Sequence, residues 1–156
     1  TDIGISYIPV PQLGTVHQKI VEVPMGLYGL PRLCKADFDE LEFAAPAGPI
    51  IGSPVRAQGL DGWPDDTVPR RVTYRITHTE SALELCRQGR AVAYFPSFVI
   101  KLHNSQAKPS KQLVSIPVPK SVAGHTQAIH IVTRVGENER FGTHEISRAL
   151  LRLVES

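Results

Sequence analysis

Apolar and polar residues alternate most cleanly in "RRVTYRIT", where Val72, Tyr74 and Ile76 fall on one side and Arg71, Thr73, Arg75 and Thr77 on the other. That period of two predicts a strand with one covered face. The rhythm then changes. In "TESALELCRQG", Ala82, Leu83, Leu85 and Cys86 share one side of a helix, while Glu84, Arg87 and Gln88 take the other. Gly89 supplies a left-handed stop. "AVAYF" follows as a short run that is apolar throughout, as expected of a strand covered on both faces. Pro96 has no N–H to donate and ends it. Strand, helix, strand over residues 71–95 predicts a βαβ unit with a right-handed crossover and a parallel pair.

The rest of the chain reads in the same way. "DIGISYI" is strand-like and is closed by "PVPQLG". "HQKIVEVPMGLYGL" predicts one or two extended segments interrupted at Pro24, and "DFDELEF" a helical turn capped by Asp37. "FAAP" reads as a short buried strand. Residues 52–69 are turn chemistry, in which Trp63 is expected as a lid over the core. "SFVIKLH" predicts a helix capped by Ser97, with "NSQAKPSK" a polar loop. "LVSIPVP" and "AIHIVTR" are strands. Thr143 is expected to cap a last helix carrying Ile146, Leu150, Leu153 and Val154 on one face. The chain opens inside a strand pattern and without methionine, which reads as a fragment of a longer protein.

Composition narrows the classes. With 42% hydrophobic and 21% charged residues in 156, the chain is long enough for one domain or for two small lobes. No apolar run approaches the ~18 residues of a membrane span, so no membrane partner is expected. The formal net charge of +2 is nearly balanced. Arg56, Arg70, Arg71 and Arg75 are interleaved with Asp61, Asp65 and Asp66, which reads as a solvated loop face rather than a nucleic-acid stripe. Two cysteines make no disulfide framework. Cys86 falls on the apolar side of the helix as a buried thiol; Cys34, in "LPRLCKADF", is either inert or a reactive thiol. A reducing, cytoplasmic setting fits both.

Candidate chemistry is sparse. His17, His78, His103, His125, His130 and His144 are scattered, without CxxC, HxH or HExxH spacing, so no metal site is expected. No GxSxG, GxGxxG or P-loop occurs, so neither catalytic residues nor a cofactor are assigned. Ser53 and Ser81 have no base at a recognisable spacing. What remains is position. In an open α/β sheet ligands bind beyond the carboxyl ends of the strands. Ser6 and Tyr7, then Thr77, His78 and Thr79, then Phe95 and Pro96 stand at such ends. Thr79 is either a plain N-cap or a contact for an anion at the positive end of the helix.

The run "TESALELCRQGRAVAYFPSFV" resembles a segment of LysR-type transcriptional regulators, in which a helix, a glycine turn and a short apolar strand end in proline. Arg90 and Ala91 stand where the family pattern places its second glycine. "TDIGISYIPVPQLG", "DGWPDDTVPRRVTYRITHTES" and "AIHIVTR…ISRALLRLV" follow in family order. The resemblance implies an α/β, type 2 periplasmic-binding-protein-like fold, with two lobes joined by two crossover strands and the first lobe incomplete. Residues 1–29 and 119–156 would belong to the first lobe and hinge, and residues 30–118 to the second. It implies no enzyme, but an effector-sensing domain whose inter-lobe cleft takes a small molecule, anionic or neutral. Ser6 and Tyr7 would line the first lobe's side; Pro46, Ala47, Thr77, His78, Thr79 and Phe95 would line the second's. DNA would be bound through a winged helix-turn-helix absent from this chain, and the protein would be a homodimer or larger. A periplasmic solute-binding protein of the same fold and a Cys34-dependent enzyme are the alternatives.

Overall fold

A computed structural model describes residues 3–7, 13–47, 61–135 and 141–155; Ser53 and Arg56 lie outside them. The chain divides into two compact units, Thr1–Pro24 with Thr126–Ser156, and Met25–His125.

The first unit is an antiparallel sheet with one helix. Strand β1 (Ile3–Ser6) pairs with β7 (Thr126–Arg134), which pairs in turn with the first part of β2 (Thr15–Gly29). β7 thus gives β1 a neighbour within this chain. The apolar alternation of β2 slips by one residue at Ile20-Val21. A bulge between Lys19 and Val21 absorbs the slip, so that Val21 shares a face with Ile129 on β7. Val23, Ile129, Ile131 and Thr133 are buried. Helix α3 (Phe141–Glu155) completes the element order of the unit. It begins two residues before the expected cap, so Thr143 lies inside its first turn.

Pro24 does not interrupt β2. It stands opposite Thr126, the first residue of β7, and the next residue, Met25, is the first to pair with β5 (Ala93–Pro96). The N–H that proline lacks therefore falls where the strand exchanges partners, and no ladder bond is lost.

In the second unit, β3 (Phe43–Pro46) and β4 (Val72–Ile76) form a parallel pair. Helix α1 (Thr79–Arg87) returns the chain to Val92, which bridges Phe43 in parallel: Ala44 N–H donates to the Val92 carbonyl at 2.9 Å, and Val92 N–H to that of Glu42 at 2.8 Å. The predicted βαβ unit is present, but its strands are not neighbours, because β3 lies between them. β5 itself pairs antiparallel with β2. The run from Ala91 to Phe95 is buried throughout, as its unbroken apolar sequence requires.

α1 buries Ala82, Leu83 and Cys86. It ends in a Schellman turn, with Arg90 N–H on the Leu85 carbonyl, Gly89 N–H on that of Cys86, and Gly89 at φ +65°. Helix α2 (Ser97–Gln106) is capped by Pro96 rather than Ser97 and takes in residues expected as loop. The reason is Asn104. Its side chain donates to the Leu113 carbonyl at 2.8 Å and accepts from Leu113 N–H at 2.9 Å, fixing the helix end to the chain that enters β6 (Val114–Ser115). The predicted turn is present as a 3-10 turn over Phe38–Glu40, with Asp37 at the N-cap position but without the side-chain capping bond expected of it.

Two clusters make the second unit's core. One gathers Leu27, Phe43, Trp63, Tyr94 and Ile116; the other gathers Ala44, Leu83, Cys86, Ala93, Phe95 and Ile100. Trp63 is fully buried, stacked on Phe38 and edge-on to Phe43 and Tyr94, with its indole N–H on the Val68 carbonyl at 2.7 Å. The face expected to be solvated from its charges is so at Asp66, Arg71 and Arg75, but not at Arg70 and Asp61. The side chain of Arg70 is 1% exposed and that of Asp61 7%. The Arg70 guanidinium makes paired hydrogen bonds to Asp61 at 2.6 and 2.9 Å and to Asp65 at 2.8 and 3.0 Å, and lies 5.3 Å from the Trp63 ring centre. Burial disfavours its charge, but the hydrogen bonds and charges of Asp61 and Asp65 together outweigh that, and its pKa is raised.

Candidate functional site

Within the second unit the parallel strands end level with one another. Pro46 lies three residues beyond Phe43, and Phe95 three beyond Val92, the residue that Phe43 bridges. Pro46 pairs with Ile76, and Ala47 N–H donates to the Ile76 carbonyl at 2.8 Å. The Arg75 guanidinium donates to the Pro46 carbonyl at 3.2 Å. Thr77 follows directly, and the chain turns into α1. Five of the sequence-selected residues, Pro46, Ala47, Thr77, His78 and Thr79, are thereby gathered at one end of the unit.

The cap of α1 is His78, not Thr79. His78 is extended at φ −125°, ψ 135°, and makes no side-chain capping bond. Its carbonyl accepts from Ser81 and Ala82 N–H at 3.1 and 3.4 Å. Thr79 is the first helical residue, so the helix starts without a side-chain bond from its N-cap. The local acid, Glu80, is engaged by Arg87. Phe95 sits at the same end, but its side chain is buried in the core cluster with Ala44, Leu83 and Ile100. It therefore backs this end of the unit.

Sequence reasoning passed over one residue here. β2 runs antiparallel to β5, with Met25 opposite Pro96 and Gly26 opposite Phe95. The ring of Tyr28 lies over Gly26: a Cβ on that glycine would fall 2.9 Å from the ring and 3.0 Å from the hydroxyl. A glycine two residues before a tyrosine, on one strand face, was the available signal.

Ser6 and Tyr7 belong to the first unit. Ser6 stands opposite His130, and the Tyr7 carbonyl accepts from the Gln127 side chain at 3.0 Å. Burial raises the Tyr7 hydroxyl's pKa. Cys34 is half-buried, and its thiol faces the Ser115 carbonyl at 3.7 Å, which supplies no base. Cys86 is buried, its thiol pushed up to about 12 by burial. Among the described residues no group of three or more His, Cys, Asp or Glu side chains could hold a metal ion, and no helix is long and apolar enough to cross a membrane.

No family model and no curated protein matches the sequence. Solved structures do. The regulatory domain of MetR, a LysR family regulator from N. meningitidis, is 14% identical at a TM-score of 0.62, over 97% of this chain and 70% of that one. The regulatory domain of CcmR from Synechocystis PCC6803, in complex with 2-PG, is 11% identical at 0.64, over 99% and 74%. Full-length CbnR, complexed with its target DNA, is 18% identical at 0.59, over 99% and 51%. This chain has the fold of LysR-type regulatory domains. The type 2 periplasmic-binding-protein-like α/β architecture implied by the sequence resemblance is therefore the one it adopts.

Proposed function

We propose that the chain is the effector-sensing domain of a LysR-type transcriptional regulator and carries no catalytic activity. The observation that carries this reading is the fold likeness over nearly the whole chain, joined to the sequence resemblance in the same order. On this reading the unit Met25–His125 is the second lobe and the other unit the first lobe. The effector is a small molecule with an anionic group. CcmR in complex with 2-PG is a precedent for a small-molecule ligand, and the start of α1, where His78 makes no side-chain capping bond, suits an anionic group. Pro46, Ala47, Thr77, His78 and Thr79 are its second-lobe contacts, supported by Phe95; Ser6 and Tyr7 are its first-lobe contacts in the cleft that the family resemblance implies.

Sensing then works by population shift. A ligand with contacts on both lobes favours the closed form by its differential affinity for it. DNA is contacted through a winged helix-turn-helix outside these residues, with CbnR on its target DNA as the precedent, in a cytoplasmic homodimer or larger assembly. A solute-binding protein of the same fold is the second reading. The sequence upstream of Thr1 separates the two, because a signal peptide there would sink the regulator.

The test of the site is a thermal-shift screen of small carboxylates and organic phosphates. A ligand present at 100 times its Kd stabilises by about 2.7 kcal/mol, several degrees in a chain of this size. Thr79→Trp should abolish the shift while leaving the unliganded Tm in place. A shift that survives in Thr79→Trp removes the α1 start from the site.

A further inference from the structure

We infer that the end of the second unit at which α1 stops is a basic face, presented by Arg32, Arg90, Lys108 and Lys111 to the phosphate backbone of duplex DNA. The inference rests on the functional reading above, which holds this chain beside DNA, and adds to it a contact made by the chain itself.

Charge is spread unevenly along the chain. Residues 85–136, one third of the sequence, hold seven of the seventeen Lys and Arg and none of the fifteen Asp and Glu. That third carries +7 and the remainder −5, an asymmetry that points to a polyanionic partner. The fold then gathers part of it at one place. The Lys111 ammonium donates to the Arg87 carbonyl at 3.1 Å, and the Arg32 guanidinium to the Gly89 carbonyl at 2.7 Å. Both cations are thus held at the last turn of α1, and Arg90 follows Gly89 directly. Lys108 joins them through the 3-10 turn Pro109–Lys111, in which Lys111 N–H donates to the Lys108 carbonyl at 2.8 Å.

These charges are open to a partner. All four residues are exposed, and among the described residues none of them has an ion pair. Lys111 lies within electrostatic reach of Glu84, but that carboxylate is already engaged by Arg87 and Gln88, each at 2.8 Å. The acidic turn of Asp37, Asp39 and Glu40 belongs elsewhere: its Phe38 stacks on Trp63 in one core cluster, whereas α1 packs in the other. Followed bond by bond from Lys108 to Arg90, the four cations fall within about 20 Å. That is roughly six base pairs of duplex, at 3.4 Å of axis for each phosphate of a strand. Cations so placed release the counterions condensed on DNA, a gain that a small free anion does not offer. Four such contacts are weak alone and count because a linked DNA-binding domain raises the local concentration of duplex.

The test titrates the full chain with a short fluorescent duplex of arbitrary sequence over a range of salt concentrations. Anisotropy should report binding with a slope of about −3.6 in log K against log salt, the value for four phosphates, and so a loss of about 150-fold between roughly 50 and 200 mM. Arg90→Gln/Lys108→Gln removes two side chains that make no bond among the described residues, so the Tm should hold while the slope shrinks by about 2. Lys120→Gln is the control. Lys120 is also exposed and lies in the acid-free third, but its turn leads to His125, whose carbonyl accepts from Met25 N–H. The four cations instead flank Gly29, which pairs with Val114 at the other end of this run of β2. A loss in Lys120→Gln equal to that in Lys108→Gln shows that net charge and not this face binds DNA, and overturns the inference. Polyglutamate binding as tightly as the duplex makes an acidic protein the occupant and overturns the DNA assignment. Absence of duplex binding at low salt overturns the inference alone, since the effector reading is tested separately by the thermal shift. A signal peptide upstream of Thr1 would instead sink the functional reading, whatever the duplex does.

Discussion

Two buried side chains, Arg70 and Cys86, show what burial does to an ionisable group. Arg70 is a cation sealed beside aromatic rings, and it is tolerated because Asp61 and Asp65 occupy its hydrogen bonds. Arg70→Met should destabilise the protein by about 3 kcal/mol, because it strands a buried carboxylate, and removing one partner of a buried pair costs roughly 3–5 kcal/mol. Trp63 fluorescence reads the loss directly, since this indole packs under the guanidinium. The double variant Asp61→Asn/Arg70→Met should recover part of it; equal melting of wild type and Arg70→Met would show that the pair contributes nothing. Cys86 acts through pH. Its thiol is held up to about 12 by burial, against ~8.5 in an unfolded chain. Above pH ~9 the unfolded state releases this proton while the folded state keeps it. Stability therefore falls as pH rises from the unfolded to the folded pKa, by up to about 1.4 kcal/mol per pH unit from this group. Denaturant melts between pH 8 and 11 should show a shallower alkaline decline in Cys86→Ala than in wild type. Parallel declines would mean that the thiol ionises in place.

Elements whose cause is local were legible in the sequence, and those decided by a distant partner were not. α1 and the run into β5 could be read because amphipathic spacing, a C-terminal glycine and an apolar run lie within twenty residues. The insertion of β3 between β4 and the Val92 bridge could not, because spacing within 71–95 says nothing about a strand from residues 43–46. Pro24 misled for the same reason: whether a missing N–H matters depends on where partners change along β2. The cap of α1 was misplaced by one residue, from His78 to Thr79, because threonine is the better capping type and histidine holds the position without a side-chain bond. The charged loop was read as solvated because sequence does not show that Asp61, Asp65 and Arg70 converge. Gly89, by contrast, was read for the right reason, and it carries a second constraint. At φ +65° it is in the left-handed region, and an added Cβ would fall 2.3 Å from the Arg32 guanidinium, which donates to the Gly89 carbonyl at 2.7 Å. Gly89→Ala should cost about 1–2 kcal/mol and displace Arg32. Arg32→Ala should relieve the steric part, so the two changes should combine to less than their sum. Strict additivity in a double-mutant cycle would show that the backbone conformation alone sets the cost.

The two units are unequally built, and at the scale of the molecule that inequality has a dynamic consequence. Among the described residues, the first unit's buried side chains are Val23, Ile129, Ile131 and Thr133, while the second unit holds two packed clusters and the clasp around Arg70. α3 has an apolar face in sequence, but none of its described side chains is buried, and Leu153 is 41% exposed. β1 carries Ile5 at 56% exposure. Opening free energy follows the apolar contacts that must be broken. The amides of β1 and α3 should therefore exchange with solvent at least ~100-fold faster than those of β3 and β5, a gap of about 2.7 kcal/mol. β2 divides the two regimes within one strand, because its residues to Pro24 belong to the first unit and those from Met25 to the second. Hydrogen exchange resolved by residue should show protection stepping up along β2 near Pro24. Uniform protection from Thr15 to Gly29 would mean that the long strand opens as a single element, and that the first unit draws its stability from the second rather than from its own four buried side chains.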